Sequence, residues 1–275
     1  MKKSRLILGL ASMMLCGVLA GCTGNNANDK VADNEADSVA EAVSENMAQE
    51  SDSQDVAASE NAALESESDL EGKTTITYIG HATVKIVTKD GTIIYIDPNY
   101  SEWDYSSEPA DYVFITHSHG DHQPDYNFKM KDTAVMITQK EALQAGVYMN
   151  EDFGDIHVEA VPASNENHDI KYCVGYLITV DGITIYHAGD TSMIEQMSEL
   201  ADKDIDYAFY PIDGEYNMDA VEATEVANLV GAKHNIPIHE LDNHEFDPTV
   251  ERKSNNFTPE GAMVLEYGET IVVGE

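Results

Sequence analysis

Apolar and polar positions alternate in short blocks along most of this chain. TTITYIG, ATVKIVT and GTIIYID follow one another, with KDG marking the turn before the third, and each reads as a strand. An irregular stretch with Trp103 and Pro109 separates them from DYVFIT, another short apolar strand. DTAVMIT and IHVEAVPA continue the pattern, with a helix expected in KEALQAG between them. YCVGYLITV, a VDG turn and TIYHAG make a hairpin signature, and SMIEQMSEL reads as a helix start. DYAFYPI, the amphipathic MDAVEATEVANLVGA and HNIPIH then read strand, helix, strand. PEGAMV is helix-forming, and ETIVVG ends the chain as a strand. About 200 residues with many strands and several helices predict one α+β domain, from residue 73 to 275, with a substantial core.

The first 72 residues do not fit that pattern. Lys2, Lys3 and Arg5 precede an apolar run from Leu6 to Leu19, and Leu19, Ala20, Gly21 and Cys22 follow. This resembles a bacterial lipoprotein signal peptide, which implies cleavage after residue 21 and acylation of Cys22. Residues 23–72 hold fourteen acidic residues against Lys30 and no aromatic residue, too little apolar surface to offset the entropy of ordering. Residues 22–72 are therefore expected to form a lipidated cysteine and a solvated acidic spacer. Cys173 is then the one other cysteine of the mature chain, so an intramolecular disulfide is excluded, and its apolar setting suggests a small buried hydrophobe. The net charge of −36 argues against nucleic acid as a partner, because binding a phosphate backbone needs a basic surface.

DYVFIT leads into THSHGDHQ, residues 116–123. His117 and His119 are two apart at a strand end, where an extended backbone points both side chains the same way. Gly120 permits a sharp turn that carries Asp121 and His122 to a neighbouring position. Imidazole with carboxylate suits zinc, iron or manganese. Two adjacent cations need further donors, and three later strand ends offer them: His168 in SNENHD, Asp190 in HAGDT and His239 in IPIHE. Taken alone, Asp190 also reads as a turn or helix cap. His157 is the rival to His168, although it lies within an alternating strand. His81, on the turn after the first strand, either faces the cleft or sits on the surface. His244, five residues after His239, can line the same cleft, whereas His187 and His234 read as supporting or incidental.

HSHGDH, followed by HAGDT and IPIH, resembles the metallo-β-lactamase superfamily, whose signature is HxHxDH. YIGHATVKI, VPASN, VGYLITVDGITIYHAGDT, PIDGEYNMDAVEA and IPIHE resemble its branch of zinc-dependent hydrolases, which includes ascorbate-6-phosphate lactonase-like proteins. The resemblance covers nearly all of residues 73–275 and implies an αββα sandwich with metals at one edge. It implies that His117, His119 and His168 ligate a first cation, that Asp121, His122 and His239 ligate a second, and that Asp190 bridges them. The segment at His168 departs from the branch, since HDIKY is shortened and lacks the usual histidine–proline pair. Asp213 matches a loop that approaches the metals, where its carboxylate can orient a ligating imidazole. His81 matches a branch motif as a supporting or substrate-contacting residue.

Two divalent ions, zinc first and manganese or iron as alternatives, imply hydrolysis by activated water. Asp121 and Asp190 then serve the reaction mainly through positioning and charge. The expected protein is an exported, outward-facing, membrane-anchored hydrolase of a small ester, lactone or phosphodiester. The other class is a non-catalytic metal-binding surface protein of the same fold. A serine or cysteine nucleophile is not indicated, because GDTS lacks the GxSxG elbow and Cys173 has no evident base partner.

Overall fold

The computed structural model describes residues 70–100, 102–240 and 252–274. The expected signal peptide at 1–21, Cys22, most of the 22–72 spacer and His244 lie outside the described residues. The strands are β1 (Thr74–Gly80), β2 (Thr83–Val87), β3 (Ile93–Ile96), β4 (Ala110–Phe114), β5 (Met130–Ile137), β6 (Leu143–Gln144) and β7 (Val147–Tyr148). They continue as β8 (Asn150–Phe153), β9 (Ile156–Pro162), β10 (Val174–Val180), β11 (Ile183–His187), β12 (Tyr207–Pro211), β13 (His234–Ile238) and β14 (Glu269–Val273).

Two six-stranded mixed sheets result, ordered β14-β1-β2-β3-β4-β5 and β13-β12-β11-β10-β9-β8. The alternation read from the sequence decides which side chains meet between them. Ile76, Tyr78, Val84, Ile86, Ile94, Ile96 and Phe114 of the first sheet belong to one buried cluster with Val158, Val174, Tyr176, Ile178, Ile185, Phe209 and Ile236 of the second. Thr75 and Thr77 take the alternate positions of β1, and Thr77 Oγ1 meets Thr270 Oγ1 of β14 at 2.8 Å.

The helix Ala220–Val230 packs outside the second sheet. Ala223, Val226, Ala227 and Val230 join Leu177, Tyr186, Ala208 and Tyr210 in a second buried cluster. The helix starts on Asp219, whose side chain accepts from the Val221 and Glu222 amides, and ends on Gly231 at φ 71°. The SMIEQMSEL segment forms a 3-10 helix, Glu195–Asp202. Met197 and Leu200 are its buried residues, three apart and so on one side of a helix with three residues per turn. The architecture is the expected α+β, αββα sandwich. On the outer face of the first sheet Tyr95 and Val113 form a buried cluster with Tyr105 and Ile115, against which Trp103 and Phe128 pack from neighbouring loops.

Two local expectations are corrected, and one strand was unforeseen. KEALQAG is helical only within Gln139–Ala142, after which Ala145 and Gly146 take positive φ and the chain reverses between β6 and β7. PEGAMV is not helical: Gly261 has φ 68°, and Ala262 bridges to Asn235. β8 was hidden in NEDF, whose four residues include no aliphatic side chain, and it forms by pairing antiparallel with β9.

Strand direction places the site. β3 and β4 are parallel, as are β11, β12 and β13. β1 lies antiparallel to β2 and β2 to β3, so β1 runs with β3. By the same count through β10, β9 runs with β11. The residues that follow β1, β3, β4, β9, β11, β12 and β13 thus emerge from strands that share a direction within each sheet.

Candidate metal centre

Beyond β4 the chain is held by Asp97, the residue that follows β3. Asp97 is fully buried with φ 45°. Its Oδ1 accepts the Thr116 amide at 2.8 Å, and its Oδ2 accepts the Thr116 hydroxyl at 2.6 Å. The same Oδ2 lies 2.8 Å from His122 Nδ1, which turns His122 Nε2 toward the cleft. Asn99 Nδ2 donates to the Gly120 and Gln123 carbonyls, and Gln123 Nε2 donates to the His117 carbonyl at 2.7 Å. These contacts fix the histidine loop as a rigid turn.

The other donors arrive from the second sheet. His168 closes a turn in which its Nδ1 lies 2.7 Å from Asn165 Oδ1. Its Nε2 then lies 3.0 Å from His119 Nδ1 and 3.4 Å from Asp190 Oδ2. The shortened segment therefore still brings His168 to His119. Asp190 follows Gly189, whose φ is 63° and where a Cβ would stand 2.8 Å from the Val174 carbonyl oxygen. No side chain fits at that approach, so a glycine must precede the aspartate. Asp190 lies 3.9 Å from His117 Nε2, 3.3 Å from His122 Nε2 and 3.7 Å from His239 Nε2. Asp213 Oδ1 accepts the Glu215, Tyr216 and Asn217 amides, while Oδ2 sits 3.2 Å from His239 Nδ1.

Three overlapping donor groups result: His117, His119 and His168; His117, His122 and Asp190; and His81, Asp121, His122 and His239. Within each, the donor atoms lie within 4.8 Å of one another. His117, His122, Asp190 and His239 are almost wholly buried, whereas Asp121 is 29 % exposed and His119 is exposed. His157 is not part of these groups; it lies on the second sheet beside Asp152, at 2.7 Å. His187 Nε2 lies 2.9 Å from the Ala82 carbonyl oxygen, and His234 stacks on Tyr207. Sequence reading missed Asp97 and Asn165. Asp97 could have been found, because it stands at a strand end in YIDPN as Asp190 and Asp213 do at theirs.

The electrostatics call for positive charge. Burial pushes the His117 imidazole down to about 3. Burial also acts against a charged His122, but the Asp190 and Asp97 carboxylates outweigh it and hold its pKa well above the ordinary value. His239 is likewise raised to about 9, with burial opposed by Asp190, Asp121 and Asp213. Burial would raise Asp190, yet His122 and His239 hold it well below the carboxylate range. His117 Nε2, His122 Nε2, Asp190 Oδ1 and His239 Nε2 are buried without a hydrogen-bond partner. Buried polar atoms normally find partners, and imidazole nitrogens converging on carboxylates are the donor chemistry of a divalent cation. The residues present fit one or more such ions.

A two-sheet sandwich with His/Asp donors gathered at strand ends has the makings of a metal-dependent enzyme. Residues 75–239 match the Beta-lactamase superfamily domain, and the chain belongs to that family. A UPF0173 metal-dependent hydrolase of Pyrococcus furiosus is 30% identical over 230 residues, covering 71% of this chain and 98% of the relative. A second, from a Geobacillus species, is 31% identical over 227 residues, covering 71% and 98%. A crystal structure of a Parabacteroides distasonis protein, described as a metal-dependent hydrolase, superposes with a TM-score of 0.57. It has 31% identity and covers 70% of this chain and 91% of its own. The chain is a metal-dependent hydrolase.

Proposed function

We propose that this protein is a membrane-anchored hydrolase that cleaves a small ester, lactone or phosphodiester with metal-activated water. The observation that carries this reading is the convergence of seven side chains, Asp190 among them, from the segments that follow four strands, β4, β9, β11 and β13. His117, His119 and His168 would hold one cation, and Asp121, His122 and His239 the other, with Asp190 between them. Zinc suits this mixture of imidazole and carboxylate, and manganese and iron are the alternatives. Divalent cations there would supply Lewis acidity and lower the pKa of a bound water toward neutrality.

The chain's own residues do the rest. Asp97, Asn165 and Asp213 hold the His122, His168 and His239 rings at the nitrogen that faces away from the cleft. Asp121 and Asp190 contribute position and negative charge. Cys173 is buried, and burial pushes its thiol up to about 12, so it supplies no thiolate nucleophile. The lactone member of the substrate class draws on the likeness to the lactonase-like branch. Export and anchoring rest on the LAGC motif at Leu19–Cys22. An acidic protein at an outer surface suits a small substrate and disfavours nucleic acid.

The test is a panel of generic esters, lactones and phosphodiesters assayed after zinc or manganese loading. At least one class should be hydrolysed, with His119→Ala lowering the rate by about a hundredfold or more. Protein that takes up no metal and is inactive on the whole panel overturns the reading.

A further inference from the structure

Three residues were assigned above to the second cation, and the structure brings a fourth to the same point. His81 turns the corner between β1 and β2 with φ 50°, a conformation that favours glycine. Such backbone strain concentrates at functional positions. The surroundings keep it in place. The His81 carbonyl accepts both the His239 amide at 2.8 Å and the Tyr78 hydroxyl at 3.1 Å. His239 itself has φ 51°, so two left-handed histidines face each other across this contact.

The result is an imidazole that is 2 % exposed and lies against the His239 ring, with centroids 3.7 Å apart. His81 Nε2 is 3.3 Å from Asp121 Oδ2. His122 Nε2 and His239 Nε2 are 3.6 and 3.8 Å from that same oxygen. Donors about 2.1 Å from a tetrahedral cation stand roughly 3.4 Å from one another. Three imidazole nitrogens therefore surround one carboxylate oxygen at the spacing of a single ion's shell.

We propose that His81 is a ligand of the second cation, completing a site made of His81, Asp121, His122 and His239. The proposal rests on the two-cation reading and deepens it. Apart from the shared Asp190, the second position then has four protein donors and the first has three, His117, His119 and His168. An additional protein donor holds an ion more firmly. The two positions are thereby unequal, with the second the tighter. The competing arrangement has His81 donate a hydrogen bond to Asp121 from outside the shell and orient it.

Metal binding separates the two. Zinc titrations against a chromophoric chelator should give two ions per chain in the unaltered protein. His81→Asn, which tolerates a left-handed backbone, should bind one of them about tenfold or more weakly. X-ray absorption on the fully loaded cobalt forms should count fewer imidazoles per cobalt in the variant. His81→Gly takes the same φ without strain and serves as a second variant if the first folds poorly. With it, added imidazole should restore the cobalt absorption spectrum. Two zinc affinities within about twofold of the unaltered protein overturn the proposal. So does weakened binding with an unchanged imidazole count, which is the signature of an orienting residue. Both outcomes leave the hydrolase reading standing, whereas an unaltered protein that binds no metal overturns both.

Discussion

At the scale of single residues, Asp97 ties three things together. One carboxylate accepts the Thr116 amide and hydroxyl and faces His122 Nδ1, so it joins the β4 exit to a metal donor. Burial would raise its pKa, but His122, then His187 and His117, hold it low. It is therefore an anion at neutral pH. Asp97→Asn keeps the shape and accepts φ 45°, but replaces one acceptor oxygen with an amide nitrogen facing either Thr116 or His122. Loss of such a supporting contact typically weakens metal binding by about 10–100-fold. Chelator competition on a folded variant checks this; unchanged affinity would mean that the Asp97 charge does not support His122. The candidate ligands were legible in the sequence because each is a donor at a strand end. Asp97 and Asn165 were less so, since an aspartate before proline and an asparagine in a polar turn are ordinary loop residues until their partners are known.

At the scale of elements, shared strand direction brings the donors to one rim, and the helices stabilise the far side. Asp219 caps the helix Ala220–Val230 through two amides, at 2.9 and 2.8 Å. Asp219→Ala should cost about 1 kcal/mol of stability, read from urea unfolding. Zinc affinity should not change, because that helix packs on the outer face of the second sheet; a change would show that it couples to the centre. Strands with alternating aliphatics were all recognisable. β6, β7 and β8 were not, because segments of two to four residues owe their form to pairing partners and not to their own pattern. PEGAMV carried the opposite error, where local helix preference yielded to a positive-φ glycine and a bridge to Asn235.

At the scale of the whole molecule, acidity and the proposed lipid anchor define the setting in which the centre would work. A net charge of −36 disfavours binding to polyanions. Acylation at Cys22 would confine the catalytic domain to a membrane surface. Cys22→Ser should move the protein from the membrane fraction to the soluble fraction of its native cells, read by fractionation and immunoblot, with hydrolysis by the purified protein unchanged. Retention of the Cys22→Ser protein in membranes would overturn lipid attachment at that residue.

The sequence by itself determined the fold class, the buried faces of the long strands and the residue types that converge, because periodicity and ligand chemistry are local properties. It also pointed to the order in which donors arrive, since each follows a strand. Tertiary structure alone decided which nitrogen faces the cleft, that His168 reaches His119 and Asp190 despite its shortened turn, and that His81 lies beside Asp121. Those outcomes depend on distances between residues tens of positions apart, and only the packed pair of sheets sets such distances.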